Sequence, residues 1–246
     1  MHATTRTIAA SAVVLAAALG LSGCWFMGPP QTHADDAVVT DAVTAIEIDD
    51  PAGAVTVRGV AGATEVSIER TLHYFGAERS FDATHEVDGG TLVLHGCGRN
   101  CSAEYVLEVP EGLDVSGSTA NGAVELSGVH DVDVSTSNGL VELDGVTGSV
   151  EASTSNGRVV GRGLTGGGIR AASSNGAIEL HLETPQDVSA ETSNGSIEVD
   201  APPASYRVDT ATSNGGVEVD LANDPDGEFT FDLRTSNGSI RVGEAG

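Results

Sequence analysis

Seven Asn-Gly pairs punctuate the chain, and the third residue after the glycine is glutamate in five of them: Glu125, Glu142, Glu179, Glu198 and Glu218. Val160 and Arg241 hold the other two places. Carboxylates that recur at one point of a repeat could bind a cation or a basic ligand. In unlike surroundings they could serve as acid and base on a glycoside, a reaction that takes two carboxyl groups about 5 to 9.5 Å apart, one with a raised pKa. Five glutamates in repeated surroundings supply the distance without the asymmetry. Stacked at ~4.8 Å they repel by only about 0.9 kcal/mol in water, so a solvated strand face accounts for them without any ligand.

No other pattern points to catalysis. The chain has no G-x-S-x-G elbow, no H-E-x-x-H, no P-loop and no G-G-x-G-x-D calcium repeat. All 11 basic residues are arginine, which excludes Schiff-base and Walker-type lysines and a Lys–Asn cross-link. His73, His85, His95, His130 and His181 show no ligand spacing. No catalytic residue, metal or cofactor is therefore expected. Cys97 and Cys101, in HGCGRNC, read as a disulfide if the protein is exported. A zinc site of His95, Cys97 and Cys101 is the alternative, and it lacks a fourth ligand.

The elements that would carry these residues follow from the repeat. The pairs are Asn121-Gly122, Asn138-Gly139, Asn156-Gly157, Asn175-Gly176, Asn194-Gly195, Asn214-Gly215 and Asn237-Gly238, spaced by 17, 18, 19, 19, 20 and 23 residues. A period near 20 marks one supersecondary unit per copy. Val132, Val134 and Thr136 alternate with polar residues, and Val141 and Leu143 resume the alternation after the bend, so each copy is strand, bend, strand. An antiparallel meander of type I′ hairpins and a parallel β-solenoid both fit. The solenoid is favoured: serine precedes the asparagine in six copies and threonine precedes that position in six, a uniformity that ladders of identical side chains explain and hairpins do not. Each copy is expected to stack on its predecessor, with the corner glycine supplying a positive φ.

AGAVTVRGV (52–60) lines up with NGAVELSGV (121–129), and GGTLVLHG (89–96) is similar. The predicted organisation is an all-β solenoid of about seven to nine coils, a rod of roughly 43 Å at nine. Residues 45–116 form degenerate coils with an excursion and cap at 71–85, and 117–246 form the regular repeat. Aromatics at 4% suit such thin layers.

Residues 1–23 read as a lipoprotein signal peptide: Arg6, an apolar run from Ile8 to Leu21, then Leu21-Ser22-Gly23-Cys24, which resembles the lipobox. Cys24 would carry the lipid, and 24–44 would tether the domain to the outer face of the membrane, the lipid being its only membrane contact. A net charge of -25 argues against nucleic acid as a partner.

IEIDDPAGAVTVRGV (46–60), CSAEYVLEVPEGLDV (101–115) and the Ser-Asn-Gly copies together resemble a bacterial family of "putative adhesin" domains, of unknown function. The resemblance covers about 45–242 and implies a parallel β-helix-like fold without established enzymatic activity. The expected role is a non-catalytic envelope lipoprotein that binds a protein or glycan of the envelope or a host surface. A carbohydrate-active solenoid enzyme and an envelope-stress sensory module are the alternatives, and the oligomeric state is open.

Overall fold

The computed structural model describes residues 28–49 and 52–245 and contains strands without helices. Seven strands precede the regular repeat: β1 (Pro30–Val39), β2 (Ala45–Asp49), β3 (Val55–Val60), β4 (Val66–Phe75), β5 (His85–Asp88), β6 (Thr91–His95) and β7 (Cys101–Pro110). Then follow β8 (Asp114–Asn121), β9 (Val124–Ser127), β10 (Val132–Asn138), β11 (Val141–Asp144), β12 (Val150–Asn156), β13 (Val159–Leu164), β14 (Ile169–Asn175) and β15 (Ile178–Leu182). The last six are β16 (Val188–Asn194), β17 (Ile197–Ala201), β18 (Tyr206–Asn214), β19 (Val217–Val219), β20 (Phe229–Asn237) and β21 (Ile240–Glu244).

Corner asparagines of neighbouring copies pair in parallel and in register, Asn138 with Asn121 and Asn156 with Asn138. This is the solenoid, and it excludes the hairpin meander, in which each strand would pair with the one across its own bend. Two sheets result. Sheet A runs β1-β4-β7-β3-β9-β11-β13-β15-β17-β21-β19, and sheet B runs β18-β20-β16-β14-β12-β10-β8-β2-β6-β5.

Nine coils are stacked among the described residues, but not in chain order. β20–β21 lies between β16–β17 and β18–β19, and β2–β3 lies between β6–β7 and β8–β9. The expectation that each copy sits on its predecessor is thus corrected at both ends. Apolar content gives the reason at the C-terminal end: β20–β21 buries Phe231, Leu233, Ile240 and Val242, whereas β18–β19, after Tyr206 opposite Phe229, sets only the smaller Val208, Thr210 and Val217 opposite the first three of these and Val219 opposite the last. The more apolar coil gains more by being covered on both sides.

The alignment of 52–60 with 121–129 matches the observed pairing of Val55 with Val124 and Val57 with Leu126. GGTLVLHG does not behave in the same way. Its Gly89 and Gly90, with φ of 58° and 90°, turn the β5–β6 hairpin, and β6 joins sheet B. Nor do residues 30–39 form a free tether, since β1 pairs antiparallel along all of β4.

Each corner is built from three bonded series. Asparagine Nδ2 donates to the Oδ1 of the adjacent coil's asparagine at 3.0–3.1 Å, in the order Asn121, Asn138, Asn156, Asn175, Asn194, Asn237, Asn214. Inside, Thr136, Thr154, Ser173, Thr192, Thr235 and Thr212 donate their hydroxyls to the preceding coil's glycine carbonyl at 2.9–3.1 Å. The glycine N–H donates to the next coil's asparagine carbonyl, as Gly176 does to Asn194 at 2.9 Å.

Left-handed φ is not the general reason for these glycines. Of the seven only Gly122 and Gly238 have positive φ. A Cβ on Gly139, Gly157 or Gly176 would instead lie 1.7–1.9 Å from the carbonyl oxygen of the glycine one coil away. The corner is closed to side chains because backbone occupies the space.

The interior is thin. Val124, Val141, Val159, Ile178, Ile197 and Ile240 stack in one column of sheet A, facing Val and Ala columns of sheet B. Aromatic rings gather at the ends, Tyr206 with Phe229 and Phe231 at one and Tyr74 with Phe81 at the other. At the N-terminal end the segment between β4 and β5 folds over the stack, with Arg79 over the rings of Tyr74 and Phe81.

Buried Arg70 holds this cap together. It pairs with Asp35 of β1 through Nε and Nη2, and Nη1 donates to the Asp82 carbonyl and Thr84 Oγ1 at 2.9 and 2.8 Å. The Arg70 hydrogen bond lowers the Asp35 pKa below its ordinary 3.8. His95 shifts the other way: burial opposes its charge, but hydrogen bonds to Glu86 and Asp49, at 3.3 and 3.2 Å, raise its pKa above 6.5.

Two outcomes are expected. Gly157→Ala should lower stability by about 3 kcal/mol in denaturant titration, whereas Gly167→Ala, whose Cβ would meet nothing within 4 Å, should change it by less than about 0.5 kcal/mol. The cap should hold best between the two ordinary pKa values, 3.8 and 6.5. Below 3.8 the contribution of Asp35 fades, and it is lost as pH falls through its lowered value; above 6.5 that of His95 fades, and it is lost as pH rises through its raised value. Amide exchange of β1, corrected for intrinsic rate, should speed up at the acid side only, and Asp35→Asn should abolish that acid response.

Candidate interaction surface

The parallel register carries the sequence period onto the outer surface, so residues at equivalent repeat positions form columns. On sheet A the glutamates do fall in one column, in the order Glu125, Glu142, Val160, Glu179, Glu198, Arg241, Glu218. Val160 is buried and divides the column, and the inserted coil places Arg241 between Glu198 and Glu218. Arginines also meet it from neighbouring positions: Arg162 reaches Glu142 at 2.6 Å, Arg158 reaches Glu179 at 3.5 Å and Arg241 reaches Glu198 at 3.5 Å. The column is thus two glutamate pairs, split by Val160 and ended by Arg241 and Glu218, with arginines paired to three of its carboxylates, rather than an unbroken stripe of carboxylates.

Sheet B carries a surface that the reading of glutamate positions did not locate. Ser118, Ser135, Ser153, Ala172 and Glu191 form one outward column, and Ser137, Ser155, Ser174 and Ser193 flank the asparagine ladder. Together they line a groove of about 640 Å³ that runs along the stack across five coils, from Ser118 to Ser193. Beside it lies a second groove of about 630 Å³, lined by Ser116, Asp133, Glu151, Arg170, Ser189 and Asp232 among others. The signal was present in the sequence: S-x-S precedes Asn-Gly at Ser135–Ser137 and Ser153–Ser155, a single serine precedes it in the later copies, and alternation sends these serines to the face opposite the buried hydroxyl residue.

At the far edge of this face Asp131 accepts the Ser149 N–H at 2.7 Å and its hydroxyl at 2.9 Å, and these bonds lower its pKa. Asp114 and Asp187 likewise accept the N–H groups of Asp131 and Thr230 from adjacent coils. Asp114, His130 and Asp131 converge, with a ligand atom of each within 4.8 Å of the others. The first and last of these already serve as acceptors for backbone N–H groups.

The remaining predicted positions lie elsewhere. The Sγ atoms of Cys97 and Cys101 are bonded to each other, Cα to Cα 5.6 Å, so they offer no thiolate for a zinc site with His95. They tie the β6–β7 turn to the start of β7, and neither lines either groove. Cys24 and the signal segment lie outside the described residues, among which no helix is long and apolar enough to cross a membrane.

The polar columns are expected to be separable from the fold. Glu142→Gln and Arg162→Gln should each change stability by less than about 1 kcal/mol, as exposed ion pairs do. Thr154→Val, which leaves the Gly139 carbonyl without its buried donor, should cost about 1–3 kcal/mol in the same denaturation assay.

Similar solved structures include the "putative adhesin" of Bacteroides fragilis, with 15% identity and a TM-score of 0.49 over 86% of this chain and 97% of that one. Another is the "putative adhesin" of Parabacteroides merdae, with 12% identity and a TM-score of 0.44 over 87% and 97%. A third is the "putative cell adhesion protein" of Clostridium sporogenes, with 12% identity and a TM-score of 0.38 over 88% and 100%. No curated protein matches the sequence. The family model described as Toastrack DUF4097 matches residues 111–243, more than half of the chain and all of the Asn-Gly corners, and the protein belongs to that family.

Proposed function

We propose that this protein is a non-catalytic interaction module of the cell envelope, exported and held to the membrane by a lipid on Cys24, which binds a protein or glycan partner along its outer faces. The serine-lined groove of sheet B carries the reading. It presents at least one outward hydroxyl in each of five successive coils, and two at Ser135/Ser137 and Ser153/Ser155, over a length that suits an extended, repeating ligand rather than a compact metabolite. Small side chains leave backbone-close space, and hydroxyls both donate and accept. The adjoining groove adds Asp133, Glu151 and Arg170 for orientation. The charges of sheet A, Glu125, Glu142, Glu179, Glu198 and Glu218 with the arginines paired to the middle three, form a second contact face.

The carboxylates with shifted proton affinity, Asp35 and Asp131, are both shifted downward, which is opposite to what a general acid for glycoside cleavage requires. Their acceptor bonds to Arg70 and Ser149 serve the fold.

The test is a binding screen of the purified chain against cell-wall glycans, matrix proteins and envelope extracts, with released sugar measured in parallel. A retained partner without product is expected, and Ser153→Trp, which fills the groove at its middle, should weaken retention at least tenfold with the melting temperature unchanged. New reducing or unsaturated ends would overturn the non-enzymatic reading.

A further inference from the structure

The two ends of the stack are finished differently. At the N-terminal end the last strands are antiparallel, β1 on β4 and β5 on β6, and the chain between β4 and β5 brings its Phe81 against Tyr74 with its Arg79 over both rings. The other end, β18–β19, is closed only in part. The side chain of Asn223 acts there as a substitute strand: its Oδ1 accepts from the Val208 N–H at 3.1 Å and its Nδ2 donates to the Val208 carbonyl at 3.0 Å. Asp224 N–H reaches the Tyr206 carbonyl at 2.8 Å. Beyond Val208 this cover stops.

The bonds of Phe229 N–H to the Ser205 carbonyl and of Ile240 N–H to the Gly216 carbonyl fix which backbone groups face inward. By alternation Thr210 and Thr212 of β18, and Val217 and Val219 of β19, turn their N–H and C=O groups away from the stack. Edges of this kind are templates for another strand.

The corner between them is also unfinished, and it specifies what would fit. Gly238 presents its carbonyl to the Thr212 hydroxyl at 3.0 Å, and Gly215 lies so close beneath that a Cβ there would be 1.9 Å from that oxygen. Gly215, as the last corner, presents the same carbonyl outward, and Asn214 donates to Asn237 while its own Oδ1 has no coil beyond it. A segment continuing the stack must therefore bring glycine to the bend, with an asparagine before it and a hydroxyl three residues before it. Charge then selects among such segments. Asp209, Glu218, Asp220, Asp224, Asp226 and Glu228 surround this end, against the guanidinium groups of Arg207 and Arg241. A second copy would bring the same carboxylates against these.

We propose that the open β18–β19 end is a strand-addition site for a basic segment of a partner polypeptide, one bent at a Thr/Ser-x-Asn-Gly corner and flanked by lysine or arginine. The site is separate from the grooves of sheet B, so it stands or falls independently of the partner assigned to them.

The probe is a synthetic peptide with lysines or arginines flanking Thr-Ser-Asn-Gly, titrated into the full chain by fluorescence anisotropy. Saturable binding is expected, weakening as salt screens the charges. Replacing the peptide's basic residues by glutamate, its glycine by valine, or alternate amides by N-methyl amides should each weaken binding at least tenfold. Thr210→Pro in the protein removes an outward N–H without touching the β20 ladder and should do the same with unchanged melting, while Ser153→Trp should leave peptide binding intact. Absence of binding overturns the proposal, as does binding that survives both the valine and the N-methyl replacements, which would reduce the site to general acidity. Dimerisation of the chain that Thr210→Pro abolishes would overturn it too, by giving the end to a second copy.

Discussion

A residue in this fold meets its own counterpart one strand spacing above and below, and the fit recurs most regularly at the corner glycine. There the carbonyl of one coil lies where the next coil would carry a Cβ, and the same oxygen accepts the buried threonine hydroxyl. The close approach and the hydrogen bond depend on each other. A Cβ would push the coils apart, and the hydroxyl would then lose its acceptor in a site from which water is excluded. The outer asparagine ladder sets the register that this contact demands. Because the register holds at the corner it holds along both strands, and every outward column follows from it.

What could be read in the sequence was whatever the constraint repeats. Thr-Ser-Asn-Gly is conspicuous since each residue has a separate partner one coil away, and the uniformity of the copies distinguished stacking from hairpins. The order of the coils was not legible. Asn194, Asn214 and Asn237 have equivalent corners, so corner chemistry permits any sequence of the three; the choice rests on Phe231 and Leu233 being better covered than Thr210, a difference that appears only when strands are compared as neighbours. Residues 30–39 gave a similar difficulty. Their alternation is polar, as expected of an outermost strand with little to bury, and polarity alone reads as linker.

The two outer faces show how one repeat can yield surfaces of different character. Sheet A combines carboxylates with arginines placed at irregular repeat positions, so its charge pattern is local and varies from coil to coil. Sheet B sets a small hydroxyl side chain in every coil from Ser118 to Ser193, so its groove changes less from coil to coil, with Ala172 and Glu191 as the departures in its outward column. The glutamates drew attention because charged residues at fixed spacing suggest chemistry. The serines did not, because a hydroxyl in a turn motif has an ordinary local explanation.

The exchanged order of the terminal coils has a mechanical meaning. In a solenoid wound in sequence, tension on the C-terminal strand would strip it from a single neighbour, and the stack would unravel one coil at a time. Here that strand, β21, is laminated between β17 and β19, and its partner β20 between β16 and β18. Pulling along it loads two parallel ladders lengthwise, so they resist in shear together instead of opening like a zip. Toward the other terminus β1 is the sacrificial layer, bonded on one side only, and behind it β2 is again clasped between β6 and β8. A domain so arranged transmits force through its length after its outermost strand has yielded.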